Sequence, residues 1–422
     1  MLTVAHLLFL AFLVVAVAQL FGCALFLRHL LNARPVSIDD SRLPKTAVAL
    51  PLMGTDPELL DNIKRLLGQE YPNYELHVVL HSEDDPAAAV VARALAETGA
   101  RHVRVEIFDP AFDPLCLNCS NSKTVQGVNM LDDSFEVFAM VSGSVAVHPT
   151  WLRELVAPMA LDPTIGATFG NRWYMPSRGD WGSLVRCLWN LSAVPIMYFQ
   201  NMPWGATMAI RVDAIRRGGL EETWREVVAV DAAAPGALAR QGLSVRFVPN
   251  LMMINRDECS LSFCLNFIQR QLTWTRLYHD RWMSVIGHAV FTVGLLLLTA
   301  ALLVYSVAAS RFDVAAWTVI GFLIGQAALY FCVLGLDWGV RKSSSHYHWS
   351  PRGWLSLKVL LRLPAALLLT QVCHPLTVWR AAVGKYVSWR GVQLEIVGRG
   401  RIRNVDHIGS PATAQNAESS LR

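Results

Sequence analysis

The chain has 422 residues, 53% hydrophobic and 17% charged, with a formal net charge of +4 and a mean hydropathy of +0.34. That length accommodates one large domain of about 100 to 250 residues with membrane segments besides. A charge so small and scattered, with no basic run, excludes nucleic acid as partner and leaves the lipid bilayer.

Residues 2–27 are apolar apart from His6 and Gln19, long enough to cross a hydrocarbon core of about 30 Å. No charged start or clean small-residue cleavage site accompanies them, so residues 1–33 read as a retained anchor of an integral membrane protein. Arg28 and Arg34 follow, which by the positive-inside tendency makes the next domain cytoplasmic, beneath the inner membrane in a bacterium. Within 284–375, spans at 285–308 and 315–336 form a membrane hairpin around Arg311, and 376–422 is a basic tail. Residues 354–372 stay open between a fourth span and an interfacial or re-entrant helix pair. Lys358 and Arg362 interrupt them, Pro364 and Pro375 are helix breakers, and a fourth crossing would put Arg380, Lys385 and Arg390 outside. Residues 187–210 lack charge, yet Asn190, Pro195, Gln200, Asn201 and Pro203 make them a buried or interfacial part of the soluble domain.

Residues 45–280 alternate strand-like and helix-like runs, the pattern of an α/β fold. A strand at 46–52 precedes a helix with Asp56 as N-cap and Pro57 at its first position, where Leu59, Leu60, Ile63, Leu66 and Leu67 share a face. The strand at 76–80 runs into Ser82-Glu83-Asp84-Asp85-Pro86. An Ala/Val-rich helix, a strand at 102–108, a cysteine-bearing loop, a helix near Val125 and a strand at 135–141 follow. Ligands of open α/β sheets bind beyond the carboxyl ends of the strands, where Asp84 and Asp85 fall. Either acid could equally serve as an N-cap ahead of Pro86.

Several motifs stand in a telling order: Pro51-Leu52-Met53-Gly54 with Asp56-Pro57, Gln69 to Glu75, Glu83 to Ala87, Asn121-Ser122-Lys123, Val147 to Leu152, Gly205-Ala206-Thr207-Met208, Ala229-Val230-Asp231, Arg270 to Leu277, and Val387 to Gly391. In this order the chain resembles family-2 glycosyltransferases of the ceramide glucosyltransferase type. The resemblance implies a nucleotide-diphospho-sugar transferase-like domain anchored by N- and C-terminal transmembrane helices. It implies inverting hexosyl transfer from a nucleotide sugar to a membrane lipid alcohol, ceramide-like or a polycyclic terpenoid. Asp231 matches the catalytic base. Asp84, Asp85, Lys123, Ser142 and Ser144 match the nucleotide-sugar side, with Asp84 also on the metal side. Arg270, Thr273, Trp274 and Arg276 match the acceptor and diphosphate side.

The departures bear on chemistry. Ser142-Gly143-Ser144 stands where the family carries a metal-holding Asp, and a hydroxyl is a poor Mg²⁺ or Mn²⁺ ligand beside carboxylate, so weak metal dependence is expected. Thr273 replaces an Arg whose guanidinium could neutralise phosphate. Val230 and Ala232 replace an acid and an aromatic beside Asp231. These losses keep an alternative in view, a non-catalytic relative acting as a lipid-binding or partner subunit. Cys116-x-x-Cys119 with Cys259 and Cys264 is spaced too irregularly for zinc and reads as free thiols of a reducing cytoplasm. His346-Tyr347-His348 reads as a juxtamembrane loop. A transporter is disfavoured because the spans are few and carry no buried charge.

Overall fold

The computed structural model describes residues 1–113, 120–344, 353–389, 392–398 and 400–407. Cys116, Cys119, the 346–348 loop and Arg390-Gly391 lie outside the described residues. After α1 (Leu2–Asn32) come β1 (Thr46–Pro51), α2 (Leu59–Leu67), β2 (Tyr74–Leu80), α3 (Ala87–Thr98), β3 (Val103–Ile107), α4 (Ser120–Asn129), β4 (Val137–Val141) and α5 (Trp151–Leu161). The second half holds β5 (Ile165–Tyr174), α6 (Trp181–Gln200), β6 (Thr207–Arg211), α7 (Val212–Arg217), α8 (Leu220–Arg225), α9 (Val230–Arg240), β7 (Ser244–Asn255) and α10 (Leu261–Tyr278). The helices α11 (Trp282–Ala308), α12 (Phe312–Ser344) and α13 (Leu357–Val383) precede a small antiparallel sheet of β8 (Tyr386–Trp389), β9 (Val392–Gly398) and β10 (Arg401–His407).

The main sheet is ordered β3-β2-β1-β4-β6-β5-β7. β6 alone runs against its neighbours β4 and β5, so β1, β2, β3, β4, β5 and β7 end on one edge and β6 begins there. Both faces are covered, and the strands show it at period two. Val48 and Leu50 enter one core while Ala47 and Ala49 enter the other.

The sequence expectations hold for these strands to within a residue or two. The helix expected from Asp56 starts later, at Leu59, because Asp56 to Glu58 form a turn in which the Asp56 carbonyl accepts from the Leu59 amide at 3.0 Å. Leu59, Ile63, Leu66 and Leu67 are buried as the spacing requires. Residues 187–210 divide between α6 and β6, part of the α/β domain. Pro364 and Pro375 do not divide the helix expected to break at them; α13 runs through both. Helices α1, α11, α12 and α13 are each long and apolar enough to cross a membrane. The expectation of no buried charge in the spans fails. α12 continues beyond residue 336, and there the enclosed Asp337 accepts from Trp354 Nε1 at 2.7 Å and pairs with Arg341 Nη2 at 2.8 Å.

Candidate active site

The carboxyl edge of the sheet can be followed residue by residue. Leaving β2, Asp85 turns inward and is 6% exposed. Its Oδ1 accepts from Gly54 N at 2.9 Å and from Ala87 N at 2.9 Å, and its Oδ2 accepts from Gly54 N at 3.2 Å. It therefore ties the loop after β1 to the first turn of α3. Asp84 beside it is exposed and makes no hydrogen bond or ion pair among the described residues. The two adjacent acids have divided, one into a brace and one into a carboxylate facing out.

Two strands over, past β1, the end of β4 turns through Ser142-Gly143-Ser144. Gly143 packs closely, since a Cβ there would meet Leu52 Cδ2 at 2.9 Å and Leu59 Cδ1 at 3.0 Å and those side-chain ends would have to shift. Asn62 Nδ2 donates to its carbonyl at 2.9 Å. The two serine hydroxyls lie 3.1 Å apart, and Ser142 N donates to Ala206 O at 3.3 Å. That bond leads to the start of β6. There Gly205 N donates to Asp231 Oδ2 at 2.7 Å, and a Cβ on Gly205 would sit 3.2 Å from that oxygen.

Asp231 lies in the first turn of α9, where Ala232 N donates to Oδ1 at 2.9 Å and the helix N-terminus favours a negative charge. Burial pushes its carboxyl above the ordinary carboxylate range, and the Gly205 and Ala232 amides pull back. A half-buried carboxyl with a raised affinity for protons, held by two amides, has the character that general-base work needs.

At the β2–β3 corner Lys123 of α4 is 2% exposed, its Nζ 4.8 Å from the centre of the Phe108 ring. His81 stacks on the same ring at 6.5 Å. Burial, with Lys123 nearby, holds His81 below its ordinary value against the pull of Asp85.

The α10 residues divide differently. Thr273 is 2% exposed, and its hydroxyl donates to Gln269 O at 2.8 Å, one turn back in its own helix. Arg276 Nη1 donates to the carbonyls of Ala381 at 2.7 Å and Gly384 at 3.1 Å, closing the last turn of α13. Trp274 packs with Val228, Leu277, Val387, Leu394 and Ile402, and so joins α10 to the small sheet. Arg270 lies over Phe267 at 5.7 Å. Sequence reasoning missed Arg172. From the end of β5 its guanidinium stacks 4.7 Å from the Trp204 ring, one residue from the Gly205 amide. Nη1 donates to Tyr174 OH at 2.6 Å, while Nε is buried with no partner among the described residues. No spacing rule marks it, because sheet order alone brings β5 beside the start of β6.

A divalent ion is implied by the fold family, and the donors present fit it poorly. Asp85 holds backbone amides with both oxygens, the serines offer hydroxyls, and among the described residues no three His, Cys, Asp or Glu side chains gather to hold a metal. Asp84 is the carboxylate left facing out.

The site thus sets carboxylates along the edge of an α/β sheet that is joined to apolar helices. The chain belongs to glycosyl transferase family 21, whose profile matches residues 8–402. Among solved structures, a mannosyltransferase from Pyrobaculum calidifontis in complex with GDP-Man and Mn²⁺ has a TM-score of 0.48 at 16% identity, covering 90% of this chain and 97% of that one. Glucosyl-3-phosphoglycerate synthase from Mycobacterium tuberculosis, with Mn²⁺, UDP-glucose and glycerol 3-phosphate, has a TM-score of 0.38 at 14% identity, covering 57% and 85%.

Proposed function

We propose that the chain transfers a hexosyl group from a nucleotide sugar to the hydroxyl of a membrane lipid, ceramide-like or a polycyclic terpenoid alcohol, with inversion. The observation that carries this reading is Asp231, a half-buried carboxyl in the first turn of α9 that accepts from the Gly205 amide, beside the sheet edge that also carries Ser142 and Asp85. The acceptor oxygen attacks the anomeric carbon from the face opposite the diphosphate. The bond from that carbon to the diphosphate oxygen breaks, the nucleoside diphosphate leaves with the electron pair, and Asp231 takes the hydroxyl proton. With so poor a donor set, no step is routed through a metal ion. Charge on the departing diphosphate falls instead to side chains, and Arg172 on Trp204 supports that role. The helices beside the domain supply the setting for a lipid acceptor, and the Arg28 and Arg34 flank argues for a cytoplasmic site.

The test is nucleotide-sugar consumption by the detergent-purified chain, with and without lipid alcohols. Acceptor-dependent release of nucleoside diphosphate that Asp231→Asn slows by about 10² to 10⁴ is the expected result. If nucleotide sugar binds and no lipid ever promotes release, the chain is the non-catalytic relative that Ser142 and Thr273 keep in view.

A further inference from the structure

α13 is apolar enough to cross a bilayer, but its contacts keep both of its ends on the α/β domain. Near its start Arg362 Nη1 donates to Gly179 O at 3.1 Å, and the guanidinium lies 5.6 Å over Trp181. At its middle Trp189 Nε1 donates to His374 Nδ1 at 3.3 Å. At its end Arg276 holds the Ala381 and Gly384 carbonyls, and the β8–β10 sheet that follows packs on Val228 and Leu277. A helix of 27 residues is about 40 Å long. Were it to span, one end would have to leave the domain by about 30 Å.

The other three apolar helices behave differently. Their far ends close on one another through Ala5, Leu8 and Phe12 of α1, Leu302 of α11 and Val314 of α12. α13 contributes nothing to that cluster. Its buried residues, among them Val359, Leu363, Ala366 and Ala381, enter the core shared with the domain.

The opposite face of α13 is one apolar stripe, exposed from end to end. Leu357, Leu361, Leu368, Val372, Trp379 and Val383 recur at steps of four and seven, with Leu361 at 74% and Trp379 at 60% exposure. A cleft of about 530 Å³ opens beside it, between Ala365 and Leu369 and the first turns of α6 and α10. Exposed Trp181, Ile196 and Phe199 of α6 add to the apolar area. So large an unpartnered apolar surface is not left to water. The residues flanking the stripe also have the chemistry of a lipid headgroup boundary, with exposed Lys358 near one end and Lys385 and Tyr386 at the other.

We propose that α13 lies in the plane of the membrane, its stripe docked into the leaflet on the domain side, leaving α1, α11 and α12 to cross. The small sheet and the basic tail then stay on the side of the α/β domain, and Arg380 and Lys385 need not be carried across, in keeping with the lysine and arginine bias.

The test uses the full chain in membranes of the producing cell, with epitopes after Gly99, at Ser310 and at the C-terminus. In sealed vesicles, protease is expected to reach the Gly99 and C-terminal epitopes from one side and Ser310 from the other. A C-terminal epitope grouped with Ser310 would overturn the proposal. Should an insertion misfold, labels on Leu361→Cys and Trp379→Cys read the same question, since both sites are exposed and the native thiols among the described residues are buried. These sites lie about 27 Å apart along the helix axis. Equal quenching of both by shallow-quencher lipids confined to the leaflet on the domain side supports an in-plane helix; quenching of one only contradicts it. Neither readout depends on transferase activity.

Discussion

The base role proposed for Asp231 requires the ionised carboxylate, and its surroundings make ionisation harder. Burial raises its proton affinity above the ordinary value of 3.8, so turnover should rise with pH along an acid limb lying above that value. Stability runs the other way. The folded carboxyl binds its proton more tightly than the unfolded one, so its contribution is present below the ordinary value and lost as pH rises through the folded one. Asp231→Asn is expected to lower turnover by about 10² to 10⁴, to remove the acid limb and to leave nucleotide-sugar binding intact. A pH–rate profile of the two proteins checks this, and an unchanged limb in the variant would refute the assignment. Thr273→Arg is a second residue-scale case. Motif comparison invites it as a restored charge, but the side chain is packed at 2% exposure and bonded to Gln269 O. The expected outcome is a loss of about 1–3 kcal/mol from overpacking, read as a lower melting temperature. An unchanged melt with faster turnover would contradict that packing.

At the scale of elements, α10 links the segment just before Asp231 to α13. Tyr278 OH accepts from Val228 N at 3.3 Å, just before α9, and Arg276 closes α13. Arg276→Met should therefore loosen α13 and the small sheet first, removing hydrogen bonds from a charged donor worth about 1.5–3 kcal/mol. Hydrogen exchange is expected to quicken over residues 380–398 and to stay slow in β1 and β4; uniform loss of protection would mean that the contact is not local.

Much of this was legible in the sequence. Val48 and Leu50 alternate with Ala47 and Ala49, and the α2 leucines recur at helical spacing, because burial on a sheet or helix face imposes those periods. Three things were not legible. Arg172 reaches the site through strand order, which no local pattern encodes. Arg276 bonds α13, a partner 105 residues away in sequence. The prolines of α13 read as breaks, yet the chain stays helical where neighbouring helices pack around it.

For the whole molecule, the poor metal donor set and the apolar helices make opposite demands on an assay, little from chelators and much from lipids. Binding of nucleotide sugar, followed by calorimetry, should change only weakly when EDTA replaces Mg²⁺ or Mn²⁺. A wholly metal-dependent affinity would mean that Asp84 has ligand partners beyond the described residues. The most direct measurement of the central claim is a transfer assay on the purified full chain, with radiolabelled nucleotide sugars and a panel of membrane lipid alcohols. The account predicts label moving onto a lipid in the native protein and about 10² to 10⁴ times more slowly in Asp231→Asn. Label that never enters the lipid fraction with any donor, or that enters it equally in the variant, would contradict it.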